Sequence, residues 1–282
     1  MADDHAYQKT AESAINRHKE RGHYDHDTVH AIFNSTPVAH VSFVPDPANP
    51  VPVVLPMIAR IGTFPGPGSD GEPAVYVHGY VSARMFRPTT GRVSSDQNDD
   101  DQGFPVCIAA TKIDNLVLAL TPFNHSYDYR SAVVHGTATL LQPGTKAAPQ
   151  NRDELLWAMK LITDVVAPGR WDNCRVPPDE SEIASTRILK VRIRTASAKV
   201  RDSGVKDDAK DLKDAETVRR VWTGVIPYVE TLGTPVPAET NGVAAVPGYI
   251  TEHVKSHNEK ARAGLVDEEG GLVSKVKMLF GS

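Results

Sequence analysis

Cysteine is scarce: the 282-residue chain has two, Cys107 and Cys174. A pair is too few for the disulfide framework of a small secreted fold, and their surroundings offer no zinc-ligand spacing. Cys107 sits in the apolar run PVCIAAT and reads as a small core residue; Cys174, in RWDNCRVPP, reads as incidental. A basic excess is lacking too. The formal net charge of −4 argues against nucleic acid or an anionic membrane surface as partner. No stretch approaches the roughly 18 apolar residues of a membrane span, and the polar start MADDHAYQKT has no apolar signal core, so the expected location is cytoplasmic. Among motifs, the chain lacks a nucleophile elbow, a Walker A loop, a GxGxxG after a strand and a Cys/His cluster of metal spacing.

What the chain does have is alternation. VAHVSFV, VPVVLPMIAR, AVYVHGYV, VCIAATKI, LVLALT and SAVVHGTATLL are short and β-branched, and Gly, Pro, Asp or Asn bound each one. Strands that follow one another without long helices predict an antiparallel sheet or barrel. Two insertions interrupt the series: IGTFPGPGSDGEP, read as an exposed hairpin, and the polar stretch 88–103. A helix is expected over Ala11–Arg21, closed by Gly22, and a second one capped by Asp27 with Val29, Ile32 and Phe33 on one face. Residues 151–166 carry Leu155, Met159 and Ile162 at helical spacing before Pro168 and Gly169 end the pattern. Strand alternation resumes in TRILKVRIRTASAKVR, and ITEHVKSHNEKARAG reads as a surface helix. The simplest division is one domain over 1–230 and a C-terminal extension, loop plus helix, over 231–282.

Candidate chemistry concentrates in three segments: VLPMIAR (54–60), YVHGYVSAR (76–84) and FNHSYDYRSAVVHG (123–136). Arg84 and Arg130, with Ser82, Ser126 and Ser131 and the backbone freedom of Gly79, suit a dianionic phosphate, since guanidinium groups make bidentate charge-assisted bonds. His26 and His30, four apart, would share a helix face, but no third metal ligand stands in register and no metal is assigned.

These segments, in order with RGHYDHDTVHAIF, HVSFV, PVCIAATKID, the APGR turn, SAKVR and WTGVIP, resemble the pyridoxamine 5′-phosphate oxidase-related, FMN-binding split-barrel proteins. More narrowly they resemble the flavin-nucleotide-binding or nitroimidazole-resistance-like branch. The resemblance runs from about residue 21 to 227. It implies a mainly β fold, a split barrel with flanking helices, a homodimer with FMN at the subunit interface, and an oxidoreductase acting on a small organic molecule, with NAD(P)H as a candidate electron donor. Ser82 and Arg84 match the positions that hold the flavin phosphate. Val54, Leu55, Pro56 and Met57 match the strand along the isoalloxazine ring. Tyr129 stands beside Arg130 and Ser131, which match the strand-entry pair that reaches the cofactor, and Trp222 matches a tryptophan close to the ring. His78 matches a histidine near flavin and substrate and is the candidate proton donor. The same fold carries haem-binding proteins. For a haem, His78, His125 and His135 are the candidate axial ligands, and their spacing singles out none.

Overall fold

A computed structural model describes residues 5–80, 103–141 and 150–263. The fold is mainly β, a split barrel with flanking helices, and its sheet is not closed. In chain order the elements are β1 (Gly22–His23), α1 (His26–Asn34), β2 (Ala39–Phe43), β3 (Val53–Met57), β4 (Ala59–Gly62), β5 (Ala74–Tyr80), β6 (Phe104–Leu118) and β7 (Ser126–Leu140). There follow α2 (Gln150–Val166), α3 (Glu180–Ser185), β8 (Thr186–Arg201), α4 (Ala209–Leu212), α5 (Ala215–Arg220), β9 (Gly224–Pro227) and α6 (Gly248–Ala263). The chain divides into two compact units, Met1–Thr111 with Ser131–Ala198 and Lys112–Arg130 with Lys199–Ser282.

The described strands run in the order β3-β2-β6-β7-β8-β5-β4, with β1 against β8 and β9 against β6. β3 and β4 stand at opposite ends of that order, yet Ile58 alone separates them in sequence. The sheet therefore curls until its two ends meet at one residue. The His78 backbone N–H donates to the Ile58 carbonyl at 3.2 Å and ties that seam to β5. β5 is held on its other side by β8, where His78 stands opposite Ile188 and Val77 opposite Leu189. β4 and β5 pair antiparallel, Gly62 opposite Ala74, so the intervening IGTFPGPGSDGEP does form a hairpin connection. On β7, a Cβ at Gly136 would lie 2.2 Å from the Arg192 carbonyl oxygen of β8, and glycine is what lets the two backbones approach there.

The core follows the expected periodicities. Val29, Ile32 and Phe33 of α1 are fully buried. Leu155, Ala158, Met159 and Ile162 form one stripe of α2 and pack on Ala74 and Tyr76 of β5, Ile183 of α3 and Ile188 of β8. Burying a large apolar side chain of this kind contributes about 1.5–3 kcal/mol.

Four expectations need correction. The helix over Ala11–Arg21 is absent; only a 3-10 turn at Lys19–Arg21 forms. Side chains claim backbone polar groups in and just before this segment instead: the Tyr24 hydroxyl accepts from Ile15 N–H at 2.9 Å, Ser13 Oγ accepts from Thr10 N–H at 3.0 Å, and Thr195 Oγ1 donates to the Gln8 carbonyl at 2.6 Å. The cap of α1 is Asp25, whose carboxylate accepts from Thr28 N–H at 2.8 Å, and Asp27 lies inside the first turn. VCIAATKI and LVLALT are halves of the single strand β6. Cys107 on β6 is only half-buried; that burial still pushes its thiol pKa up. No described helix is long and apolar enough to cross a membrane.

Candidate functional site

A cleft of about 570 Å³ opens at the seam, within the first unit. Ile58 and His78 line it from the sheet side, and Met159, Ile162 and Val166 from α2. Trp171, Arg170, Cys174 and Arg175 come from the loop after that helix, which leaves it at Gly169 with a positive φ of 76°. Most of the wall surface is apolar, and Thr163, Glu182, Ser185 and Thr186 add polar groups to it. Ligand sites commonly have volumes of about 300–1,000 Å³, and this cleft falls within that range. The His78 imidazole is solvent-accessible and makes no side-chain hydrogen bond among the described residues. Partial burial still holds its pKa below the usual imidazole value, favouring the neutral ring. Arg175 pairs with Glu182 at the protein surface, and Cys174 is exposed.

The second unit holds a different kind of polar cluster. Arg130 is bidentate to Asp114, Nε to Oδ2 and Nη2 to Oδ1, both at 2.9 Å, and both side chains are at least nine-tenths buried. Arg201 donates to Asp128, to the Tyr127 carbonyl at 3.2 Å and to the Gly204 carbonyl at 3.1 Å. Asn115 Nδ2 donates to the remaining Asp128 oxygen at 3.1 Å. These charges answer one another.

A third cluster lies at the N-terminal side of α1. The Tyr7 hydroxyl and His30 Nε2 are 2.5 Å apart, and the His26 and His30 rings stack with centroids at 5.5 Å. Burial, reinforced by His26, lowers the His30 pKa to about 4, and burial raises that of Tyr7. Among the described residues no group of three or more His, Cys, Asp or Glu is arranged to hold a metal ion.

Residues 25–200 match the model of the family described as pyridoxamine 5′-phosphate oxidase. The chain belongs to that family. No curated protein matches it. Among solved structures, the chain is similar to the flavocytochrome Anf3 from Azotobacter vinelandii, with 26% identity, a TM-score of 0.65, and 86% of this chain aligned to 97% of that one. It is also similar to the FAD and heme binding protein from Mycobacterium smegmatis, with 21% identity, a TM-score of 0.62, and 83% of this chain aligned to 97% of that one. Both alignments reach well beyond the segment that the family model matches.

Within this family fold, the expected site residues fall as follows. Val54, Leu55, Pro56 and Met57 lie on β3, an end strand that pairs with β2 alone among the described strands, and Val54 is 56% exposed. Its outer edge leaves backbone donors and acceptors for a ligand. His78 and the buried Gly79 lie on β5, beside the seam where β3 ends. Tyr129 and Ser131 are half-buried on β7, and Ser131 has an interaction partner. Arg130 lies between them, engaged by Asp114 as described. Trp222 is 65% exposed, its ring against Gly224, where a Cβ would come within 2.6 Å of it. Ser82, Arg84 and nearly all of the 88–103 insertion lie outside the described residues. Sequence reasoning missed the contribution of α2 and the loop after it to the cleft. Met159 and Ile162 were legible only as core, and Cys174 carried no signal beyond its place after the APGR turn.

Proposed function

We propose that this protein is a flavin-dependent oxidoreductase acting on a small organic molecule, as a homodimer, and that it carries haem as a second redox group. The observation that supports this most is the similarity to a flavocytochrome over nearly that protein's entire length, on a chain belonging to a family named for a flavin enzyme's activity. FMN is the flavin that the HGYVSAR block implies, through Ser82 and Arg84 as phosphate partners. When bound, the flavin supplies the hydride or electron transfer, and the chain supplies orientation and electrostatics. The open edge of β3 suits the donor and acceptor groups along a flavin ring, while the exposed Val51 and Val54 offer apolar surface beside it. No paired acid and base is needed for such chemistry.

The test is the absorbance spectrum of the purified protein, with the released cofactors identified by mass. Paired flavin bands with FMN released are expected, together with a Soret band. FAD in place of FMN would correct the nucleotide and keep the function. A colourless protein that takes up neither flavin nor haem would overturn the reading. Flavin reduction by NADH or NADPH, followed anaerobically, then identifies the donor, and sedimentation measures the dimer.

A further inference from the structure

We propose that the cleft at the seam is the haem site and that His78 supplies the axial imidazole. This rests on the reading that the protein carries haem and adds where the haem is held. Three histidines were equivalent by sequence, and their surroundings now differ. His125 is exposed on a loop, with Nδ1 2.8 Å from the Thr121 carbonyl. His135 stands on β7 within the fields of Glu12 and Arg194. His78 lines a cleft and has neither nitrogen engaged among the described residues, so a lone pair is available to iron.

The cleft suits the rest of the group. Ile58, Met159, Ile162, Val166 and Trp171 present an apolar lining for the faces of a porphyrin, and about 570 Å³ lies within the range of ligand-holding clefts. Arg170 and Arg175 are exposed cleft residues of the charge type that binds carboxylates such as propionates; Arg175 is paired with Glu182, another lining residue, and would exchange that carboxylate for a propionate. The ligand's backbone is fixed on both sides, by the bond to Ile58 and by pairing with β8, so the imidazole is carried by a rigid element. Axial ligation by histidine is a standard way for a protein to hold haem iron.

The experiment uses the full chain, expressed with a haem precursor and reconstituted with hemin, and reads haem per protomer, the Soret band and flavin per protomer. His78→Gly should lower haem occupancy at least tenfold while sedimentation stays at its wild-type value, and added imidazole should restore the Soret band. His125→Gly and His135→Gly should leave the spectrum unchanged. His78→Met guards against a variant that fails to fold: it should keep haem with a shifted Soret band. An unchanged spectrum in either His78 variant, or loss of the band in His125→Gly or His135→Gly instead, overturns the assignment. A wild-type protein with flavin and no haem overturns this inference and leaves the flavin reading intact; one with neither overturns both.

Discussion

Two polar regions of this molecule make opposite use of charge. Arg130, Asp114, Arg201 and Asp128 lie deep in the second unit, where each charged group meets a partner of opposite sign and further hydrogen bonds. At the cleft of the first unit, His78 stands among apolar side chains without a side-chain partner among the described residues. A buried charge that is already answered holds strands together, and removing half of it exposes the fold to the cost of the other half. A polar group left unanswered at a cleft contributes little to folding and is available to a ligand. The comparison separates two histidine- and arginine-bearing blocks that look alike in sequence, YVHGYVSAR and SYDYRSAVVHG.

The largest expected effect breaks the paired region. Arg130→Ala leaves Asp114 buried without its guanidinium and should cost about 3–5 kcal/mol in urea unfolding. The double change Arg130→Met with Asp114→Leu should recover most of that loss, and failure to recover would mean that the pair does more than satisfy itself. Next, Gly136→Ala forces a Cβ against the Arg192 carbonyl oxygen and should cost about 1–3 kcal/mol by the same measurement, showing that the first unit depends on close backbone approach.

The Tyr7–His30 pair stands between the two extremes, half-buried and joined through a neutral ring. The His30 pKa in the folded protein is about 4, below the usual 6.5. Its contribution to stability is therefore fully present above about 6.5 and lost as pH falls towards about 4. His30→Gln should flatten the pH dependence of the urea midpoint across that window; an unaltered slope would show that other groups carry it. The smallest effect on stability should come from His78→Ala, within about 0.5 kcal/mol of wild type because its side chain is exposed and unpaired.

The same contrast explains what was legible in the sequence. Period-two alternation identified β2 and β7 because each has one face in the core, and β5 and β8 were legible as strands although Ala74–Val77 and Thr195–Ala198 are buried on both faces. It split β6 in two because Asp114 and Asn115 form a turn-like dipeptide. Their partners, Arg130 and Asp128, lie more than ten residues along the chain, and pairing with them keeps Asp-Asn inside a strand. Segment 11–21 failed for a related reason, its polar groups being taken by Tyr24 and other side chains rather than by a helix. Of the cleft's lining, the strand residue His78 was the one singled out from the sequence. The walls of the cleft were not, since Met159 and Ile162 serve the core and the cleft with the same apolar side chains.

The junction at Ile58 gives the barrel a reading frame. Alternate residues from Val53 through Leu55 and Met57 to Ala59 and Ile61 are the less exposed ones, so β3 and β4 share one uninterrupted alternation although they pair at opposite ends of the sheet. Inserting or deleting a single residue there would keep either strand's pairing only by turning the other strand inside out. The length of the chain at position 58 is therefore as much a part of the fold as the side chain that stands there.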